Sequence, residues 1–247
     1  MDVKFDFVEY KKNNFSGYTL IEGFPGMGLV GTIAVKYLVE KMKMEQIGYI
    51  DSNIFTPIIR IHAGIPVRPA RIYADKKRKI CVLIAEQVIP KEHTYIASKK
   101  TIEWIKSQGI KELISLSRIQ AAPETKSKEV IYGISANEKC KPILKKFGIT
   151  EIGEGITTGV TAFMLLELKN SKIKAISILG NVKIAADYKA AAEVLKKLNK
   201  VMNFKLDVEP LLKEARETEK KVIEHLQNLK TTTDKTDNFE VKTPIVT

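Results

Sequence analysis

The sequence predicts an α/β fold in which a mostly parallel or mixed central sheet is sandwiched between helices and followed by a C-terminal helical arm. Three observations predict it. Strand-like runs alternate with helical periodicity along most of the chain, and Ile80-Cys81-Val82-Leu83-Ile84-Ala85 is apolar without alternation. From Asp207 onward the pattern narrows to an apolar stripe among Glu and Lys. The unalternating run suits a central strand covered on both faces. With 247 residues, 44% of them hydrophobic, the chain holds enough material for one sizeable core.

In chain order, Tyr18–Glu22 reads as a strand, the glycine-rich stretch after it as a turn, and Val30–Lys41 as a helix. A short strand at Ile47–Ile50 follows. Three further β-type runs, Pro57–Ile61, Ala70–Tyr73 and Ile80–Ala85, are divided by Gly64, Pro66, Pro69 and the charged turn Asp75–Lys79. A helix is predicted over Tyr95–Gln108, stopped by Gly109, then strands at Glu112–Ser117 and Val130–Ile134. Helix Glu138–Phe147 stops at Gly148, and helix Thr158–Lys169, strand Ala175–Leu179 and helix Ala186–Leu198 complete the alternation.

The stripe Leu211, Ala215, Val222, Leu226 and Leu229 suits an arm lying on a partner, or a last helix packed on its own domain. Thr231–Asn238 is polar and of low complexity, and Phe239–Thr247 regains apolar residues. These readings divide the chain into an α/β domain over 1–205, an arm over 206–230 and a flexible tail over 231–247.

Met1–Tyr10 alternates apolar and charged residues, unlike the basic-then-apolar order of a secretory signal, and no apolar stretch approaches the ~20 residues that span a bilayer. A cytoplasmic location without membrane contact is the expectation. The formal charge is +12, yet the excess is scattered Lys, densest at Lys76-Lys77-Arg78-Lys79, without the clustered Arg and interleaved aromatics of a nucleic-acid surface. Nucleic acid is therefore not the expected partner. Cys81 sits in the apolar run and Cys140 is the only other cysteine, so neither a disulfide nor a Cys metal site is expected. His62, His93 and His225 show no metal-ligand spacing.

The sharpest local signal is Gly23-Phe24-Pro25-Gly26-Met27-Gly28-Leu29-Val30-Gly31, where Gly26, Gly28 and Gly31 match the spacing of a dinucleotide fingerprint between strand and helix. Such a turn lets a phosphate approach bare backbone N–H groups at a helix N-terminus. Against that, Pro25 stiffens the turn, and Asp51 follows Gly26 by 25 residues, beyond the usual spacing of about 20 for a ribose carboxylate. The other reading is a sharp bend with no room for Cβ atoms. Glu86, His93 and Arg118 lie near strand carboxyl ends, where α/β sheets place their sites, and together would suit a phosphate- or carboxylate-handling enzyme or sensor. The plainer expectation is a structural ion pair between Arg118 and Glu86. No Gly-x-Ser-x-Gly elbow or P-loop lysine pattern is present.

The wider pattern is more specific. The glycine motif, the stretch Arg60–Tyr73 (RIHAGIPVRPARIY), the strand end Ile84-Ala85-Glu86-Gln87 and the later Gly155-Ile156-Thr157-Thr158-Gly159 together resemble the proteasome assembly chaperone family in its archaeal form, over about Tyr18–Leu198. The resemblance implies a three-layer α/β sandwich related in outline to nucleoside phosphorylases, without catalytic groups, cofactor or metal. It implies a homo-oligomer that acts by binding proteasome α-subunits or a related assembly factor. Some relatives end in a hydrophobic–Tyr–any tripeptide that enters pockets between proteasome α-subunits. This chain ends Ile245-Val246-Thr247, so these three are the candidate partner-binding residues, with Val246 offering less contact area than tyrosine and no hydroxyl.

Overall fold

The apolar run that sequence patterning puts at the centre of a sheet is there. The computed structural model describes residues 2–26, 28–57, 59–119, 131–182 and 186–214. The predicted tail, most of the arm, His225 and the Ile245, Val246, Thr247 terminus lie outside the described residues.

In chain order the strands are β1 (Phe5–Glu9), β2 (Thr19–Gly23), β3 (Glu45–Ser52), β4 (Arg60–His62), β5 (Ile65–Val67), β6 (Ala70–Asp75), β7 (Ile80–Ala85), β8 (Glu112–Ile119), β9 (Tyr132–Ser135), β10 (Thr150–Glu151) and β11 (Lys174–Asn181). The helices are α1 (Val30–Met42), α2 (Thr94–Ser107), α3 (Lys141–Lys146), α4 (Val160–Glu167) and α5 (Tyr188–Met202). Short 3-10 turns, Lys91–His93 and Glu138–Cys140, lead into α2 and α3.

Nine strands form one sheet in the order β1-β3-β6-β7-β2-β8-β11-β9-β10. The middle four, β7, β2, β8 and β11, run parallel to one another, while β1, β3 and β6 join on one side, and β9 on the other, through antiparallel pairs. The sheet is therefore mixed: β6 and β7 are joined as a hairpin, β1 and β3 add antiparallel on that flank, and on the other edge β10 pairs parallel with β9. Alternate residues of the central strands serve opposite faces. Ile21, Val82, Ile84, Ile114, Leu116 and Ile178 pack with α1, α3 and α5, and Leu20, Leu83, Leu113 and Ala175 pack with α2 and α4. The result is the three-layer α/β sandwich. Among the described residues no helix is long and apolar enough to cross a membrane.

Helix ends follow local chemistry. Gly109 and Gly148 take positive φ after α2 and α3, as the stop signals predict. The α5 start is fixed by Asp187, whose carboxylate accepts from the Ala190 amide at 2.8 Å. Helix α5 consequently starts at Tyr188 rather than Ala186 and runs on to Met202.

Two differences from the sequence reading stand out. The N-terminal Phe5–Glu9 segment is an edge strand, and Phe7 stacks on Trp104 of α2 with ring centroids 4.8 Å apart. The Pro57–Ile61 run contributes only β4, which folds back on β5 through Ala63 and Gly64, both at positive φ, and forms a separate two-stranded hairpin. The first residues of the predicted arm lie against the domain: Val208 and Leu211 are buried with α1 and α5, and the Tyr37 hydroxyl donates to the Asp207 carbonyl at 2.8 Å.

Candidate functional site

The glycine turn joins β2 to α1 at the carboxyl end of the parallel strands. Its geometry is set by backbone contact. A Cβ on Gly31 would overlap the Leu116 carbonyl oxygen and come within 3.1 Å of the Gly23 Cα, and a Cβ on Gly23 would overlap the Gly31 carbonyl. The first turn of α1 is thus pressed onto β2 and β8 with no side chain between, and Thr32 adds a hydroxyl bond of 3.1 Å to the Ala85 carbonyl of β7.

Gly28 has a different reason to be glycine. Its φ is 76°, Leu29 follows at 50°, and the Leu29 amide donates back to the Gly26 carbonyl at 3.0 Å. Gly28 also bridges to Ala186, its carbonyl accepting from the Asp187 amide at 2.9 Å, so the chain before α5 occupies one side of the bend. Gly26 is less constrained, since a Cβ there would meet only the Arg118 side chain, at ordinary contact distance of 3.6 Å. Of the fingerprint's three positions, one is demanded by packing and one by φ.

The three polar candidates do not converge. Glu86 is engaged with Arg71 at 3.0 Å and Arg60 at 3.2 Å, so the expected Arg118–Glu86 pair is not made. The reason is topological: β2 separates β7 from β8, whereas β6 lies directly beside β7 and brings Arg71 alongside. Arg71 is buried and also reaches the Arg68 carbonyl and the Tyr73 hydroxyl. Burial pushes the Glu86 carboxyl up, but the hydrogen bond and charge of Arg71, with Arg60 behind it, outweigh burial and hold it below the usual carboxylate range. Arg118 stands beside Gly26 without an ion pair among the described residues. His93 precedes α2 without a side-chain capping bond and makes no hydrogen bond to Glu86 or Arg118 among the described residues. Asp51 is held by Lys4 at 2.6 Å and Arg68 at 3.1 Å. Among the described residues no group of His, Cys, Asp or Glu is arranged to hold a metal ion.

Sequence reasoning missed an apolar surface. The β4–β5 hairpin carries Ile61 and Ile65 at 56% and 65% exposure, with Ile59 beside it. A shallow cavity of about 300 Å³ under the hairpin is walled by Phe55, Pro57, Pro66 and Pro69. On the loop before α4, Ile156 is 96% exposed. A strand propensity count takes these isoleucines for core residues; only the hairpin's separation from the main sheet shows otherwise.

A family model described as the PAC2 family matches residues 20–226, which spans every helix described above and the sheet apart from β1 and the first residue of β2. The chain belongs to the PAC2 family. An uncharacterized protein of Methanocaldococcus jannaschii is 30% identical over 220 residues, covering 88% of this chain and 89% of that one. The crystal structure of Pyrococcus furiosus PbaA, described as an archaeal homolog of proteasome-assembly chaperone, superposes with a TM-score of 0.83 at 28% identity and covers 95% of this chain and 97% of that one. Proteasome assembly chaperone 2 of Danio rerio is 25% identical over 141 residues, about half of each chain. Family and neighbours together support a chaperone-like role for this PAC2 protein, and they match the resemblance carried by the glycine motif and the Arg60–Tyr73 stretch.

Two outcomes follow from this geometry. Gly31→Ala should destabilise the protein by about 1–3 kcal/mol or more through overpacking, whereas Gly26→Ala should cost no more than about 0.5 kcal/mol; urea unfolding of the two variants checks the contrast. Because the folded Glu86 is more acidic than in the unfolded chain, its pairing contributes stability above the ordinary Glu range and loses it as pH falls through the lower folded value. Unfolding midpoints measured from neutral to acid pH should fall less steeply in Glu86→Gln, and parallel curves would refute the assignment.

Proposed function

We propose that this protein is a non-catalytic, homo-oligomeric binding protein of the cytoplasm, a scaffold in proteasome assembly that works through protein–protein contacts. Its partners are further copies of itself and proteasome α-subunits or a related assembly factor. The observation that carries the reading is the β4–β5 hairpin, which stands apart from the main sheet and holds Ile61 and Ile65 more than half exposed. Exposed apolar clusters of this kind mark contact surfaces in soluble proteins. In support, the glycine turn is taken up by the protein's own backbone contacts, and Glu86 is committed to two arginines.

We keep the division into a domain over 1–205, an arm over 206–230 and a tail over 231–247 as part of this proposal, with Ile245, Val246 and Thr247 as an additional contact for a proteasome subunit. One observation favours a second reading, a sensor or enzyme for a nucleotide or phosphorylated metabolite. Arg118 lies beside Gly26 at the start of α1, and that helix has no side-chain cap.

Light scattering on the eluting full chain should give a mass of several subunits at micromolar concentration, and purified proteasome α-subunits should retain it. Ile61→Asp combined with Ile65→Asp should weaken one or both contacts by about tenfold or more while leaving the melting temperature in place. A monomeric full chain that no α-subunit retains would remove the scaffold reading. A rise in melting temperature with a nucleotide or sugar phosphate, lost in Gly28→Val, would favour the second one.

A further inference from the structure

Among the described residues, Glu22 is the fully buried carboxylate of the parallel centre of the sheet. It lies near the end of β2 and its exposure is 0%. The Phe24 amide donates to Oε2 at 2.9 Å, and the Thr161 hydroxyl, on the first turn of α4, donates to Oε1 at 2.8 Å. The carboxyl thus ties the glycine turn to α4, directly after the loop that carries Ile156.

Two further polar groups lie in line with it. In the register of the parallel strands Glu22 is opposite Ser115 of β8, and Ser115 is opposite Ser177 of β11, so the three side chains share one face on strands about 4.8 Å apart. Both serine residues are fully buried, and neither hydroxyl completes a well-formed hydrogen bond among the described residues, although Ser115 stands close enough to the Glu22 carboxyl to act on its protonation. Buried polar atoms are nearly always bonded, so two such hydroxyls beside a buried acid need a common explanation.

Charge does not supply it. On this face β7 presents Leu83 and Ala85, β8 presents Leu113 and Ser115, α2 presents Ala97 and Ser98, and α4 presents Thr161 and Met164. The titratable groups described on the same side bring no positive charge: Cys81 of β7, opposite Leu20, is kept neutral by burial, which pushes its thiol far up, Glu9 is bound by Trp104 and Gln108 at α2, and Tyr18 packs beside Phe15. The arginines around Glu86 serve the other side of the sheet, where Arg71 meets Tyr73. Among the described residues an ionised Glu22 would have no counter-charge, and burying a lone carboxylate costs far more than burying the neutral acid.

We propose that Glu22 is a buried proton-binding site: as the neutral acid it donates to Ser115, Ser115 donates to Ser177, and loss of the proton reverses the Ser115 hydroxyl. The balance is simple. A neutral carboxyl has one O–H to give, both its oxygens already accept, and the unpartnered oxygen next in register is Ser115 Oγ. On ionisation the proton leaves to solvent, Ser115 turns to donate into the carboxylate, and Ser177 loses its donor.

Burial raises the Glu22 pKa, against the lowering effect of Ser115, Thr161 and the Phe24 amide. The folded state therefore holds the proton at pH values where the unfolded chain has released it. Stability is fullest below the ordinary Glu pKa, declines as pH rises toward the raised folded value, and levels off above it. A glutamine at this position copies the neutral acid, with its amide donating where the carboxyl did.

Infrared spectroscopy of the full-length protein at neutral pH tests the site. The carbonyl stretch of a protonated carboxyl should be present, vanish in Glu22→Gln, and move to higher frequency in Ser115→Ala, where its acceptor is gone. Because Glu86 acts with the opposite sign at acid pH, the comparison is between variants: the stability of the wild type relative to Glu22→Gln should decline as pH rises above the ordinary Glu range. If the glutamine variant does not fold, titration of the wild-type band and its shift in Ser115→Ala decide alone. Absence of the band at neutral pH, or a band that Ser115→Ala leaves unmoved, overturns the proposal.

Discussion

The fold depends on one close approach, that of the α1 backbone to β2 and β8. With glycine at positions 23 and 31, the helix rests on the strands at a distance no side chain permits, and this fixes where the turn stands and how β2 is covered. Interiors packed to crystal density do not absorb a misplaced methyl cheaply. The same approach brings Thr32 to the end of β7 and presents Gly28 to the segment that starts α5. A motif that in other folds receives a pyrophosphate serves here as a joint between three elements.

That joint also explains why spacing alone is ambiguous. Glycine is required wherever φ is positive, wherever a backbone comes close, and wherever a ligand does, and the three demands look identical in sequence. The stop signals Gly109 and Gly148, the uninterrupted Ile80–Ala85 strand and the strand–helix alternation were legible because each rests on local chemistry. The edge strand Phe5–Glu9 was hidden because its alternating pattern acquires meaning only against Trp104, 95 residues from Glu9. The partners of Glu86 were hidden for the same reason: register across β6 and β7 chooses Arg71 over Arg118, and register is a property of the assembled sheet. Glu22 stood at the end of the Tyr18–Glu22 strand without a distinguishing signal, and its meaning waited for Ser115, Ser177 and Thr161.

Electrostatics in this protein are largely short-range. Despite the formal charge of +12, the buried or half-buried carboxylates are each answered locally, Glu86 by two guanidinium groups and Glu22 by hydroxyl and amide donors. Exposed pairs such as Lys11–Glu45 and Lys174–Glu112 contribute little beyond solubility. The chaperone-like family role sits naturally with such a surface, since a lysine-rich exterior keeps molecules apart while apolar contact is confined to a few places.

The β4–β5 hairpin has a further consequence. It makes its ladder with itself alone and meets the end of β7 through the Arg60–Glu86 pair, so changes at its exposed tip need not disturb the nine-stranded sheet. Residues there are released from the packing rules that hold the glycine joint in place. Natural variation can therefore rewrite what the hairpin touches while the architecture beneath it is inherited intact, which gives a single scaffold a replaceable fingertip.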